Sequence, residues 1–209
     1  MKVLVIGGTH GIGFETTRLA LERGHEVVVL ARRPERMTLA HPALRALAGD
    51  IRDAPTVAAA VRGCAAVCVS IFVGPSFRRL TTASEGTRNT VHAMSSQGVR
   101  RLLVVTGIGA GESRGHGGFL YDHLMRAFLL KSVYDDKERQ EALARASDLD
   151  WTIVRPGFLT NGAARHRYRA LIALAGIKAG RISRADVADF VLRELETPAH
   201  LREAVLLTD

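Results

Sequence analysis

The most specific chemical signal in the chain comes at its first turn. Val5-Ile6 runs straight into Gly7-Gly8-Thr9-His10-Gly11-Ile12-Gly13. Glycines in such a turn let main-chain atoms approach a ligand closely, and a helix that starts there offers free amides and the positive end of its dipole. This suits the diphosphate of a dinucleotide, with Gly7, Gly8, Thr9, His10, Gly11, Ile12 and Gly13 as its contacts; the competing reading is a glycine-rich turn with no ligand. The second apolar run ends Ala31-Arg32-Arg33-Pro34-Glu35-Arg36, with arginines where an acid would bind a ribose 2′-hydroxyl. A guanidinium fork matches a 2′-phosphate, so Arg32 and Arg36, then Arg33, predict NADP(H) as the cofactor; a solvated basic turn is the alternative.

These groups need a scaffold that brings loop residues together, and the apolar pattern supplies one. Short runs at Val3–Ile6, Val27–Leu30, 43–48, Val67–Phe72, Leu102–Val105, Trp151–Val154 and Ala204–Leu207 read as buried strands. Helical stretches at Ile12–Arg23, Val57–Val61, Thr82–Gln97, about Phe119 to Ala146 with a break near Ser132, and Ser183–Glu196 lie between them. This order predicts an α/β fold of three layers, a doubly wound parallel sheet of Rossmann type, as one domain over residues 1–209. Ligands of such sheets bind beyond the carboxyl ends of the strands, here the loops 7–13, 31–36, 71–77, 107–118 and 156–165. Thr106, Arg155, Pro156 and Thr160 fall at those ends. All four are expected to line the nicotinamide pocket, with Pro156 shaping the turn, although Arg155 could instead pair with a core acid.

Composition narrows the classes. The chain has 209 residues, 47% of them apolar and 24% charged, which excludes disorder; no run of about 18 apolar residues marks a membrane span. The opening apolar run is too short for a signal peptide, so a cytoplasmic protein is expected. Cys64 and Cys68 read as inert core thiols rather than a disulfide, redox or metal pair. The net charge of +8 is scattered, with no basic recognition helix, so no specific nucleic-acid partner is expected.

The spacing Gly7-x-x-x-Gly11-x-Gly13 resembles the short-chain dehydrogenase/reductase family. Gly49-Asp50-Ile51, Glu85-Gly86-Thr87-Arg88-Asn89, Trp151-Thr152-Ile153-Val154-Arg155-Pro156-Gly157 and Ile182-Ser183-Arg184-Ala185-Asp186-Val187-Ala188 extend the resemblance to its atypical NAD(P)H-binding branch, which includes NmrA-like proteins and biliverdin/flavin reductases. The resemblance makes Asp50 and Ile51 part of an adenine-contacting segment. The family's Tyr-x-x-x-Lys pair is missing: Tyr121 is followed by Met125 and Tyr134 by Glu138. Gly107 stands where the biliverdin/flavin reductases have serine, and Phe158 where they have histidine. What remains is Tyr134-Asp135-Asp136-Lys137-Glu138, which resembles the lysine helix of isoflavone-reductase-like enzymes. Lys137 would bind the nicotinamide ribose and polarise an acceptor oxygen, with Tyr134 on the same helical face donating a proton; a solvated helix surface is the competing reading.

Gly117-Gly118-Phe119 and the apolar stretch that follows, within 111–131, could form a substrate lid, a dimer interface or a core helix. His116 and His123 flank it as proton donors or as solvated loop residues. The leading expectation is an NADPH-dependent oxidoreductase passing hydride to a flat, apolar conjugated acceptor such as a flavin, quinone or tetrapyrrole, and less readily to a carbonyl. The rival is a noncatalytic NADP(H) sensor acting through a protein partner. A sugar-nucleotide epimerase ranks third, because such enzymes usually continue into a longer C-terminal substrate domain. The assembly expected is a monomer or homodimer.

Overall fold

The computed structural model describes residues 1–76, 78–118, 121, 125 and 130–209. Strand β1 (Lys2–Ile6) leads through the glycine turn into α1 (Gly11–Glu22), and β2 (Glu26–Ala31) returns alongside β1. Then follow β3 (Leu44–Ala48), α2 (Ala54–Val61), β4 (Ala66–Val69), α3 (Thr82–Ser96) and β5 (Arg101–Val105). Helix α4 (Lys131–Arg145) precedes β6 (Asp150–Pro156) and the short strands β7 (Phe158–Thr160), β8 (Arg169–Leu171) and β9 (Arg181–Ser183). Helix α5 (Arg184–Glu196) and β10 (Glu203–Thr208) complete the described chain.

The main sheet has the order β3-β2-β1-β4-β5-β6-β10-β8, and every pairing in it is parallel except β8 against β10. Side-chain alternation divides the core between the two faces. Val3, Val5, Val27 and Val29 pack with Ile12 and Leu21 of α1 and with Phe190 and Val191 of α5. Leu4, Ile6, Val28 and Leu30 pack on the other face with Val57 of α2, Met94 of α3 and Ala144 of α4. Strands covered on both sides must be apolar throughout, which is why they read so clearly from the sequence. The chain is thus the three-layer, doubly wound Rossmann-type sheet expected of it. Cys64 and Cys68 are buried and unbridged, and burial pushes the Cys68 thiol up to about 12, which leaves it inert.

Two expectations are corrected, and a third falls largely outside the described residues. The fourth strand ends at Val69 rather than Phe72, because β1, its ladder partner, ends at Ile6 opposite Val69 before the glycine turn. Phe72 is 76% exposed beyond it. The helix expected from Phe119 starts, as a described α-helix, at Lys131; Phe119, Leu120, Asp122, His123, Leu124 and residues 126–129 lie outside the described residues, and with them most of the lid stretch. The expected loop 156–165 contains β7, and β8 and β9 follow where no element was expected, with β7 and β9 pairing in a separate two-stranded sheet.

Buried acids fix the pieces that flank the strand ends. Asp136 of α4, almost fully buried, accepts from the amides of Ala83 and Ser84 at 2.8 and 3.1 Å and from the Ser84 hydroxyl at 2.5 Å. It thereby caps the first turn of α3 from a different helix. Asp186 accepts from the amides of Arg165 and His166 at 2.7 and 2.8 Å, and the fully buried Asp189 takes the Tyr168 hydroxyl at 2.9 Å and Arg23 at 2.6 Å. These bonds tie segment 165–168 to α5. Replacing Asp136 by alanine orphans two buried amides, and urea unfolding should show a loss of about 2–4 kcal/mol; a loss under about 0.5 kcal/mol would mean that α3 is capped by other means.

Candidate functional site

Strand order reverses between β1 and β4, and the glycine turn lies in the crevice that this opens. Gly7 has φ +90°, and a Cβ there would collide with the Ser70 carbonyl oxygen at the end of β4. Gly11, at φ +63°, begins α1. Gly8 packs against Thr17 and Val29, and Gly13 against the carbonyl of Gly7. Thr9 and His10 share a 3.0 Å hydrogen bond between Oγ1 and Nδ1, and the His10 side chain does not cap the helix. The amides of Gly11, Ile12 and Gly13 therefore have no intrahelical acceptor and point out of the helix start. The Ile12 side chain turns into the core, which leaves its amide as the group available to a ligand. Turn, crevice and free amides fit the diphosphate of a dinucleotide.

Arg32, Arg33 and Arg36 are exposed around a 3-10 turn just past β2, on the same edge of the sheet. Asp50 is held by Arg52 at 2.8 and 3.0 Å, and that guanidinium, aided by the charge of Arg32, brings its carboxyl down to about 2. Ile51 packs beneath Gly86 in the core, so only its main chain can reach an adenine.

Tyr134 and Lys137 both reach the carboxyl end of β5. The ammonium of Lys137 donates to the Val105 carbonyl at 3.3 Å. Burial pushes it down to about 8, against the opposing pull of Glu141 and Asp136. The Tyr134 hydroxyl lies 3.4 Å from where a Cβ on Gly107 would stand. It also shares a 2.5 Å hydrogen bond with the Tyr121 hydroxyl, which donates to the Ile108 carbonyl at 3.3 Å. The ring of Tyr121 meets Phe158 edge-on at 5.2 Å, and Ile108, Leu174 and Ile177 continue this apolar wall.

The other expected residues make contacts within the protein. The Thr106 hydroxyl donates to Glu141 at 2.7 Å, and the Pro156 carbonyl accepts from the Ile108 amide at 3.0 Å. Arg155, 1% exposed, pairs with Glu141 at 2.5 Å and with Glu112 at 2.6 Å; of its two expected roles, it takes the core pairing. His116 donates through Nδ1 to the Ile177 carbonyl at 2.7 Å and tethers the 107–118 loop to the β8–β9 connection. Thr160 ends β7, half-buried. Sequence reasoning gave no role to Tyr121, Glu141 or Glu112. The lone usable signal was the placing of Glu141 one helical turn beyond Lys137.

Among the described residues no group of His, Cys, Asp and Glu could hold a metal, and no helix is long and apolar enough to cross a membrane. The model of the NAD(P)H-binding family matches residues 7–198. The uncharacterized sugar epimerase YhfK of Bacillus subtilis (strain 168) is 26% identical across all of this chain and 94% of its own length. The NAD(P)H azoreductase of Xenophilus azovorans is 25% identical over 99% of this chain and 67% of its own. Among solved structures, ChuY, an anaerobillin reductase from Escherichia coli O157:H7, superposes with a TM-score of 0.83 at 27% identity, covering 100% of this chain and 97% of that one.

The Lys137 amine should titrate near pH 8, charged below and neutral above, and Glu141→Gln should move that titration lower by removing an attractive charge. NMR of lysines labelled at Cε, with Lys137→Met to assign the signal, reads both; a titration near the ordinary 10.5 would place the amine in water.

Proposed function

This chain belongs to the NAD(P)H-binding family, and from that premise we propose that it is an NADPH-dependent reductase of a flat, conjugated acceptor. The observation that carries the reading is the convergence of Lys137 and Tyr134 on the carboxyl end of β5, beside the apolar wall of Tyr121 and Phe158. The reductase names of the azoreductase and of ChuY agree with it.

The residues fit the dinucleotide. Gly7, with the Ser70 carbonyl filling the place of a side chain, keeps the turn tight beside the open amides of α1, and the exposed Arg32, Arg33 and Arg36 supply the cations that a 2′-phosphate would need. When bound, NADPH supplies the hydride. Lys137, held by Val105, orients the ribose side of the site and brings positive charge to an acceptor oxygen. Tyr134 holds a phenolic proton at the pocket edge, with the Tyr121 hydroxyl beside it. The wall of Ile108, Tyr121, Phe158, Leu174 and Ile177 excludes water and offers ring faces to a planar acceptor. An acceptor that takes its proton from water also tolerates glycine in place of serine at 107. That same glycine favours the second reading, a noncatalytic NADP(H) sensor.

Oxidation of NADPH, followed by absorbance against FMN, riboflavin, a quinone, biliverdin and a panel of small ketones, tests the proposal. Turnover is expected with one of the conjugated acceptors, and Lys137→Met should lower kcat by about tenfold or more with little change in NADPH affinity. Tight NADPH binding with no turnover would favour the sensor. Changing Arg32 and Arg36 together to alanine should raise the Kd for NADPH by about tenfold or more and that for NADH by less than about threefold. Equal losses for the two cofactors would remove the 2′-phosphate assignment.

A further inference from the structure

The glycine turn has a second wall. Arg184 is the first residue of α5, half-buried, with its guanidinium directed at the turn: a Cβ placed on Gly11 would lie 3.9 Å from Arg184 Nε. Nη1 donates to Asn161 Oδ1 at 2.8 Å, which fixes the plane of the guanidinium. Among the described residues no acid pairs with it, whereas Arg155, Arg101 and Arg23 all meet carboxylates. The acid nearest in sequence, Asp186, is committed to the amides of Arg165 and His166 and to the Ser183 hydroxyl. Between Asp150 and Asp186 the chain carries seven Lys and Arg residues and no Asp or Glu, so no carboxylate of that segment offsets the charge. A half-buried cation with no acidic partner among the described residues, aimed at main-chain amides that lack intrahelical acceptors, marks the place of an anion.

We propose that Arg184 binds the dinucleotide diphosphate, closing from the α5 side the cradle that the glycine turn opens from the α1 side. The proposal rests on the reading of residues 7–13 as the dinucleotide site. The diphosphate would receive amide hydrogen bonds from the α1 start and a charge-assisted bond from across the crevice. Asn161 is a positioning residue, holding the guanidinium over the turn. Arg184 therefore does work different from that of Arg32 and Arg36: it recognises what NADPH and NADH share.

The test is calorimetric titration of the whole protein and of Arg184→Met with NADPH, NADH, ADP-ribose and 2′-AMP. The substitution should raise the Kd by a common factor of about ten for the three ligands with a diphosphate and leave 2′-AMP within about twofold. Arg184→Lys should recover part of the loss, and Asn161→Ala should weaken the same three ligands by a few fold. An unchanged thermal midpoint separates these effects from unfolding. Unchanged affinity for all three diphosphate ligands overturns the proposal, and a raised KM for an anionic acceptor alone would reassign the guanidinium to the acceptor. If the wild-type protein binds none of the four ligands, the reading of the glycine turn fails with it.

Discussion

Strands β1, β4 and β5 are covered on both faces, and nearly every side chain they carry is enclosed in the core. A group borne within such a strand cannot meet a ligand, so chemistry is confined to the edge where the strands end. This constraint orders the rest of the molecule. The reversal between β1 and β4 opens the crevice, and the Ser70 carbonyl at the end of β4 occupies the space a side chain at position 7 would need. Position 7 is glycine for that reason, and close main-chain approach to a ligand follows from it.

The second half of the site comes from α4, which runs past the end of β5 without belonging to the sheet. Its register is set by polar contacts on its buried side: Asp136 with the start of α3, Gln140 with Thr87 at 3.0 Å, and Glu141 with Thr106 and Arg155. These contacts hold the helix against rotation, and rotation is what would carry Lys137 away from Val105. The lowered lysine and the nearby Tyr134 hydroxyl thus depend on residues that touch no ligand.

The sheet, its helices and the glycine turn were legible in the sequence because each has a local cause: a continuous apolar run, a helical period, a turn that only glycine makes. Arg155 was legible only as a choice between ligand and core, since nothing in its neighbourhood names Glu141 and Glu112 as partners. Strands β7 and β9 were not legible, because three residues bound to a neighbour far along the chain leave no periodicity. Tyr121 was discounted for lacking a lysine four positions on, yet its hydroxyl meets Tyr134 through folding alone. Arg184 stood in a recognised segment with no role, since its distance from Gly11 spans most of the chain.

The pair Glu141 and Arg155 also bears on how this sequence can drift. Both side chains are enclosed, and each neutralises the other in a medium that does not solvate charge. Losing Arg155 alone strands the enclosed Glu141 carboxylate, at a cost of about 3–5 kcal/mol, whereas losing Glu141 leaves Arg155 its contact with Glu112, and exchanging both for apolar residues of similar volume is close to neutral. The arginine therefore cannot be the first of the two to change without a loss of stability, and a lineage that leaves the ionic pair either gives up Glu141 first or replaces both residues together.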